Sequence, residues 1–336
     1  MDDREALYIR FVLSTKSGKG MEKNLPQKIR EIFARAEAEK GIRHKGVDIR
    51  MTEYAGHGAE LARDWAARYG AEGVVYIGGG DGSVNEAANA LAGSGCAMGV
   101  LPLGTGNDFA RQLYPGLKAK EALRRVLPRT PEAELTAIDL LEVNGHYCVN
   151  VLSLGYDTVV LKTAYDILEK HPFLGQMAYV LAVLKTIFYV KHYPLHFEMK
   201  DEKGEIFSAD KIAATAVVGN GGYYGSGFNP SPEADLQDGL GDFLYADNLS
   251  FKEFLPLAFQ YKKGEHLGHP KIHMMHMTEG LIRSSDGRPI PANYDGEIFQ
   301  SSEIRLKMHP GKLRFAKLMP FKNEKKHEDP EAFSGS

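Results

Sequence analysis

Asp81 stands among four glycines in the run Gly78-Gly79-Gly80-Asp81-Gly82-Ser83-Val84-Asn85, a setting that points to phosphate chemistry. A loop with so few side chains lets the phosphates of a ligand reach the backbone. Glycines also allow φ > 0, so that successive N–H groups can converge on an anion at a helix N-terminus. A carboxylate in that place would repel a bare phosphate, so Asp81 implies a phosphate-bound Mg²⁺ or a hydroxyl that donates to it. The plainer alternative is a glycine-rich turn with a capping aspartate. Gly104-Thr105-Gly106-Asn107-Asp108 repeats the theme, with a simple helix N-cap as its alternative. Ser14-Thr15-Lys16-Ser17-Gly18-Lys19-Gly20 is a small basic loop that could place a hydroxyl, a cation and free amides near a triphosphate, or be a solvated turn.

The second half of the chain carries two carboxylate clusters. Asp235 and Asp238, with a nearby carbonyl, could hold a hard cation through oxygen ligands, and otherwise form a solvated acidic turn. In Asp295-Gly296-Glu297, strand alternation would put both carboxylates on one face, with Gly296 letting a substrate approach the backbone. Adjacent carboxylates raise one another's pKa, which suits a proton acceptor. Its plain alternative is an exposed Asp-Gly turn. His266, His269, His273 and His276 are too scattered in direction, and too short of Cys or Glu partners, to make a zinc site.

Four strand-loop-helix units position the first group. Strands are expected at Tyr8 to Leu13, Val47 to Met51, Val74 to Ile77 and Ala97 to Leu101, with helices at Leu25 to Lys40, Ala59 to Tyr69, after Asp81 and from Phe109. This alternation predicts a doubly wound, Rossmann-like α/β domain with a parallel sheet, whose ligands sit at the carboxyl ends of the strands. Thr52 would lie at that edge too. Later the period changes. Ile138 to Val143, Asn144-Gly145 and His146 to Leu152 read as a hairpin, and alternating runs continue to Ile304 to Leu306. A last strand near Leu313 to Ala316 fits either half. The expected division is residues 1–133 as the nucleotide domain, with 303–320 as a candidate completing segment, 134–302 as an antiparallel β-sandwich substrate domain, and 321–336 as a disordered tail.

The 336 residues are 43% hydrophobic and 25% charged, as in ordinary globular proteins. A net charge of −3 argues against nucleic acid held by bulk electrostatics. Cys96 and Cys148 form no framework and the N-terminus has no apolar signal region, so a cytoplasmic setting is expected. The apolar run Gly175 to Val190 is interrupted by Gln176 and Lys185 and falls short of the roughly 20 residues that span a bilayer. It reads as a buried or half-buried helix, with a helix resting on a lipid surface as the alternative.

Taken together, Gly79-Gly80-Asp81-Gly82-Ser83-Val84-Asn85-Glu86, Leu101 to Arg111, Asn220-Gly221, Tyr224-Gly225, Asp238-Gly239 and Asp295-Gly296-Glu297 resemble the diacylglycerol kinase catalytic domain family in its bacterial lipid kinase form. The resemblance runs in order across roughly residues 8–318. It implies an NAD kinase- or phosphofructokinase-like nucleotide domain, a β-sandwich, and Mg²⁺-dependent transfer of the γ-phosphoryl group of ATP to a lipid hydroxyl, diacylglycerol foremost, at a membrane surface. The implied nucleotide contacts are Ser14, Thr15, Lys16, Ser17, Gly18, Thr52, Gly79, Gly80, Asp81, Gly82, Ser83, Val84, Asn85 and Thr105. Asp81 and Asp108 would join the Mg²⁺ and phosphate network, Asp235, Asp238 and the Leu240 carbonyl would hold a structural Mg²⁺, and Asp295 or Glu297 would be the general base. Family members are often homodimers. The chain departs from the pattern at Ser14-Thr15, where Asn-Pro is usual, at Ser83 for Thr, and at Gly241 for a larger apolar residue. A soluble-substrate kinase of the NAD kinase type shares the Gly-Gly-Asp-Gly loop, and a catalytically silent lipid or nucleotide binder would keep the fold.

Overall fold

A computed structural model describes residues 7–15, 24–175, 177–247, 249 and 251–320, without the side chains of 251, 254 and 255. Lys16, Ser17, Gly18 and the tail at 321–336 lie outside the described residues. The first half runs β1 (Leu7–Ser14), α1 (Leu25–Lys40), β2 (His44–Thr52), α2 (His57–Tyr69), β3 (Gly73–Gly79), α3 (Asp81–Leu91), β4 (Ala97–Pro102), α4 (Asp108–Leu113) and α5 (Ala119–Val126). β2, β1, β3 and β4 lie side by side in parallel. β3 is buried at every position, as a parallel strand with both faces covered must be. α1 turns Leu25, Ile29, Phe33 and Ala36 inward at helical spacing and ends at Gly41, whose φ of 66° closes the last turn.

The second half runs β5 (Glu134–Val143), β6 (His146–Cys148), β7 (Val151–Gly155), α6 (Tyr156–Lys170), α7 (Met177–Thr186), β8 (Tyr193–Lys200), β9 (Ile206–Ala213), β10 (Thr215–Gly219), β11 (Gly241–Ala246), α8 (Phe251–Lys263), β12 (Ile272–Met277), β13 (Glu279–Ser284), β14 (Ile290–Tyr294), β15 (Glu297–Ser301) and β16 (Glu303–Lys317). An antiparallel sheet, β12-β11-β10-β7-β14-β15, packs its inner face against the β5, β8, β13 and β16 part of the other sheet. Phe197, Phe243, Leu154 and Ile282 meet in the core between them. The α/β plus β-sandwich expectation holds.

Several local expectations change. The two short strands expected near 304 and 313 are one fifteen-residue strand, β16, which pairs with β13, β5 and, at Phe315 with Met98, β4. It therefore carries one sheet through both halves. The hairpin at Asn144-Gly145 forms, with φ of 49° and 88° at its two turn residues. Its second strand does not run on to Leu152, because β6 stops at Cys148 and β7 starts at Val151 in the other sheet. Three consecutive N–H groups, 149 to 151, sit at that change of sheet. α6 and α8 were not expected. α6 opens with the β-branched run Thr158-Val159-Val160, which reads as strand, and α8 contains Pro256, which argues against a helix. Gly241 is explained by packing: a Cβ there would stand 3.1 Å from Met308 Sδ and 3.2 Å from Val218 Cγ1.

Candidate functional site

The two glycine-rich loops meet at the carboxyl edge of the parallel strands. Gly104 N donates to Gly79 O at 3.0 Å, and a Cβ on Gly104 would stand 2.3 Å from Gly80 Cα. A Cβ on Gly79 would stand 2.7 Å from Ser83 Cβ. Close approach requires Gly79 and Gly104, not φ > 0: Gly78, Gly79, Gly80, Gly82, Gly104 and Gly106 all lie outside the left-handed region, and Asn107, at φ 52°, takes it instead. The Asn107 side chain fastens its loop by accepting from Gly104 N at 2.8 Å and donating to Gly104 O at 2.6 Å. Ser14 reaches the same edge, 3.6 Å from the position of a Gly79 Cβ, and pairs in register with Thr52, whose carbonyl accepts from Thr15 Oγ1 at 2.8 Å.

Asp81 begins α3 and Asp108 begins α4, so the loops bring two carboxylates to one floor. The place where a Gly106 side chain would start is 2.8 Å from Asp81 Oδ2 and 3.6 Å from Asp108 Oδ2. Asp81 Oδ1 accepts from Phe109 N at 3.1 Å, and Asp108 Oδ2 from Ser226 N at 2.8 Å. Burial pushes the Asp81 carboxyl above its usual range, although the side chain keeps an opening to the cleft. Burial, and then the charge of Asp81, push Asp108 up to about 7. Arg111 Nε approaches Asp108 Oδ1 at 3.4 Å, yet that buried oxygen has no hydrogen-bond donor. Two crowded carboxylates with an unsatisfied oxygen fit a divalent cation, which would favour the charged form of both.

Asp295 and Glu297 do not share a strand face. Asp295 and Gly296, at φ 47° and 94°, form the two-residue turn between β14 and β15, and Tyr294 pairs with Glu297 across it. The turn is not an exposed one either. Asp295 is half-buried, with five donors on its two oxygens: Val149 N at 2.7 Å and Asn85 Nδ2 at 2.7 Å on Oδ2, and Asn150 N at 3.0 Å, Val151 N at 3.1 Å and Cys148 Sγ at 3.3 Å on Oδ1. The three backbone donors are those left over where β6 ends and β7 begins. Burial raises the Asp295 carboxyl and these donors oppose the rise. Asn85 Nδ2 also donates to Tyr147 O at 3.0 Å, and Asn89, one turn on, exchanges two bonds with Tyr147 at 2.7 and 2.9 Å. α3 is thereby tied to the second half. Glu297, by contrast, is exposed and faces the cleft.

Asp81, Thr105, Asp108, Asn150, Asp295 and Glu297 line one cleft with about 1100 Å³ of empty space. Tyr165 on α6 and Tyr179 on α7 also line it, and Tyr165 Oη donates to Gly296 O at 3.2 Å. Sequence reasoning missed Tyr165 because it missed α6, and Tyr179 because only packing shows which side of the expected 175–190 helix faces in. Leu161, Tyr179, Tyr224 and Gly225 are shared with a second, mostly apolar cavity between α6, α7, α8 and the antiparallel sheet. Its one charged group, Asp157, accepts from Tyr261 Oη at 3.1 Å. In the acidic loop, Asp235 Oδ1 accepts from Gln237 N at 3.0 Å and Asp238 Oδ1 from Leu240 N at 2.9 Å. Among the described residues no three His, Cys, Asp or Glu side chains gather as a metal cluster.

Residues 9–143 match the family model of the diacylglycerol kinase catalytic domain, and residues 150–317 that of the YegS C-terminal NAD kinase beta sandwich-like domain. A diacylglycerol kinase of Bacillus subtilis is 27% identical over 281 residues, 81% of this chain and 87% of its own. A Pectobacterium atrosepticum protein described as a probable lipid kinase YegS-like is 31% identical over 244 residues, 71% of this chain and 76% of its own. The crystal structure of a diacylglycerol kinase from Bacillus anthracis superposes with a TM-score of 0.65 over 93% of this chain and 96% of that one, at 18% identity, a likeness of fold.

Two outcomes follow from these contacts. Asp295→Asn replaces one of the two accepting oxygens with an NH2 that cannot accept from the donors on that side, so unfolding free energy should fall by about 3 kcal/mol or more in denaturant titrations. Without divalent cation, the folded protein holds the Asp108 proton up to about 7 while the unfolded chain releases it in the ordinary carboxyl range. The stability this lends at low pH is lost as pH rises through about 7. Melting temperature should decline between about pH 4 and about pH 8, and decline less in Asp108→Asn.

Proposed function

This chain belongs to the diacylglycerol kinase catalytic domain family, and from that premise we propose that it moves the γ-phosphoryl group of ATP to the hydroxyl of a lipid, diacylglycerol to give phosphatidic acid. The observation that carries the proposal is a cleft lined by half-buried Asp81, buried Asp108 and exposed Glu297, beside an apolar cavity that shares four of its lining residues. Nucleotide phosphates would lie along the carboxyl edge, against Gly79, Gly80, Gly82, Ser83, Val84 and Thr105, with Ser14, Thr15 and Thr52 on the nucleoside side. The N-terminus of α3 favours negative charge there. Asp81 and Asp108 would hold Mg²⁺, which when bound neutralises phosphate oxygens. The lipid tail would occupy the apolar cavity, leaving its hydroxyl in the cleft.

Glu297 is the proton acceptor in this reading, and Asp295 a positioning residue. Each lone pair of Asp295 that faces the protein already has a donor, whereas Glu297 stands open to the cleft. Transfer forms a bond from the lipid oxygen to the γ-phosphorus, breaks the γ-phosphorus bond to the bridging oxygen, and releases ADP. The hydroxyl proton passes to Glu297. The loose transition state of such a transfer asks mainly for alignment and charge neutralisation, so an ordinary carboxylate suffices late in the step. A structural Mg²⁺ at Asp235, Asp238 and the Leu240 carbonyl has support from neighbouring Asp242, whose buried Oδ2 has no hydrogen-bond partner and whose carboxyl burial pushes up to about 6.

The test is incubation with γ-labelled ATP, Mg²⁺ and mixed micelles of diacylglycerol, phosphatidylglycerol, a sphingoid base or a polyprenol, followed by extraction and chromatography. Label should appear in phosphatidic acid. ATP binding with label in none of these lipids would overturn the proposal.

A further inference from the structure

The two-residue turn before Glu297 is held from two sides. On one, α3 reaches the Asp295 carboxylate through Asn85 Nδ2 at 2.7 Å. On the other, α6 reaches the Gly296 carbonyl, to which Tyr165 Oη donates at 3.2 Å. The second contact is close: a Cβ on Gly296 would stand 2.8 Å from Tyr165 Oη. The two helices belong to different parts of the cleft. α3 starts with Asp81 of the glycine-rich loop. On α6, Asp157 lines the apolar cavity, Leu161 lines cavity and cleft, and Tyr165 and Leu168 line the cleft. Steps of four, four and three residues put these side chains on one helical face. A single face of α6 therefore runs from the apolar cavity to the turn that precedes Glu297.

The peptide plane explains what a donor on Gly296 O does. That oxygen belongs to the peptide unit that joins Gly296 to Glu297, and a peptide unit is planar, so holding the oxygen fixes the plane from which Glu297 departs. Asp295 cannot fix it alone. Its carboxylate anchors the residue before, and the two free backbone bonds of a glycine lie between. Pairing with Tyr294 holds Glu297 on one side only, because β15 is an edge strand of its sheet. The hydroxyl is not there for packing, since Tyr165 is 41% exposed and a phenylalanine ring would cover the same apolar surface. Its surroundings are the carboxylates of the cleft. Partial burial, and then the charges of Glu297, Asp81 and Asp108, push the Tyr165 hydroxyl up to about 12. At neutral pH it therefore keeps its proton and acts as a donor.

We propose that Tyr165 is a positioning residue for phosphoryl transfer: by donating to Gly296 O it aims Glu297 at the acceptor hydroxyl, so that the helix lining the acceptor cavity also sets the proton acceptor. The assignment rests on the lipid kinase reading above. Tyr165→Phe removes the donor and keeps the ring. With γ-labelled ATP, Mg²⁺ and diacylglycerol in mixed micelles, its kcat should fall about tenfold, while the KM for ATP and the melting temperature stay close to the parent's. The double variant Tyr165→Phe, Glu297→Gln should be no slower than Glu297→Gln alone, because a residue that acts through Glu297 has nothing left to aim. Amide exchange across residues 294–298 should quicken severalfold in Tyr165→Phe, a readout that needs no turnover. Parental kcat in Tyr165→Phe overturns the assignment. So does a double variant that loses the product of the two single losses, since Tyr165 would then act on the substrate directly. A parent that leaves diacylglycerol unlabelled overturns the kinase reading instead; unchanged exchange in Tyr165→Phe would then overturn the hold on the turn as well, and quickened exchange would support it.

Discussion

The carboxylate of Asp295 holds the cleft together. Its five donors come from a helix of the parallel layer and from the point where the chain leaves one sheet for the other. A strand that changes sheets leaves N–H groups outside both ladders, and buried N–H groups without acceptors are costly. One carboxylate accepts from three of them and from Asn85 as well. Removing it would free five donors at once and detach α3 from the hairpin that carries Glu297. The two-residue turn adds a second constraint: with Asp295 turned inward at φ 47°, Glu297 is left as the exposed partner of Tyr294.

A different balance governs the opposite wall. Asp81 and Asp108 are pushed toward the protonated form by burial, and Asp108 also by the charge of Asp81. The cleft thus combines one carboxylate that hydrogen bonds have fully engaged, two that burial pushes toward the protonated form, and one open to solvent. This gradation, not the number of acidic groups, assigns different work to four residues of the same chemistry.

Much of this was legible in the residues and some was not. Strand, glycine loop and helix recur four times, so the parallel layer and the meeting of its loops at the carboxyl edge follow from period and punctuation. The Asn144-Gly145 hairpin follows from turn chemistry alone. The glycines were expected for φ > 0, whereas Gly104 is required by its contact with Gly80 in a loop distant in sequence. Asp295 reads locally as an exposed turn or a strand residue because its donors lie 144 or more positions away. α6 and α8 escape notice because Thr158-Val159-Val160 and Pro256 signal against helix, and tertiary packing overrides both. The run from 173 to 190 leaves buried and lipid-facing helices open in one dimension, because only packing reveals which side faces in.

The division between Asp295, which positions, and Glu297, which takes the proton, stands or falls on the initial rate of the Glu297→Gln protein with ATP and a lipid acceptor. That rate should drop about a hundredfold or more in kcat, with the melting temperature and the KM for ATP close to those of the parent. A Glu297→Gln protein that turns over at the parental kcat would contradict it.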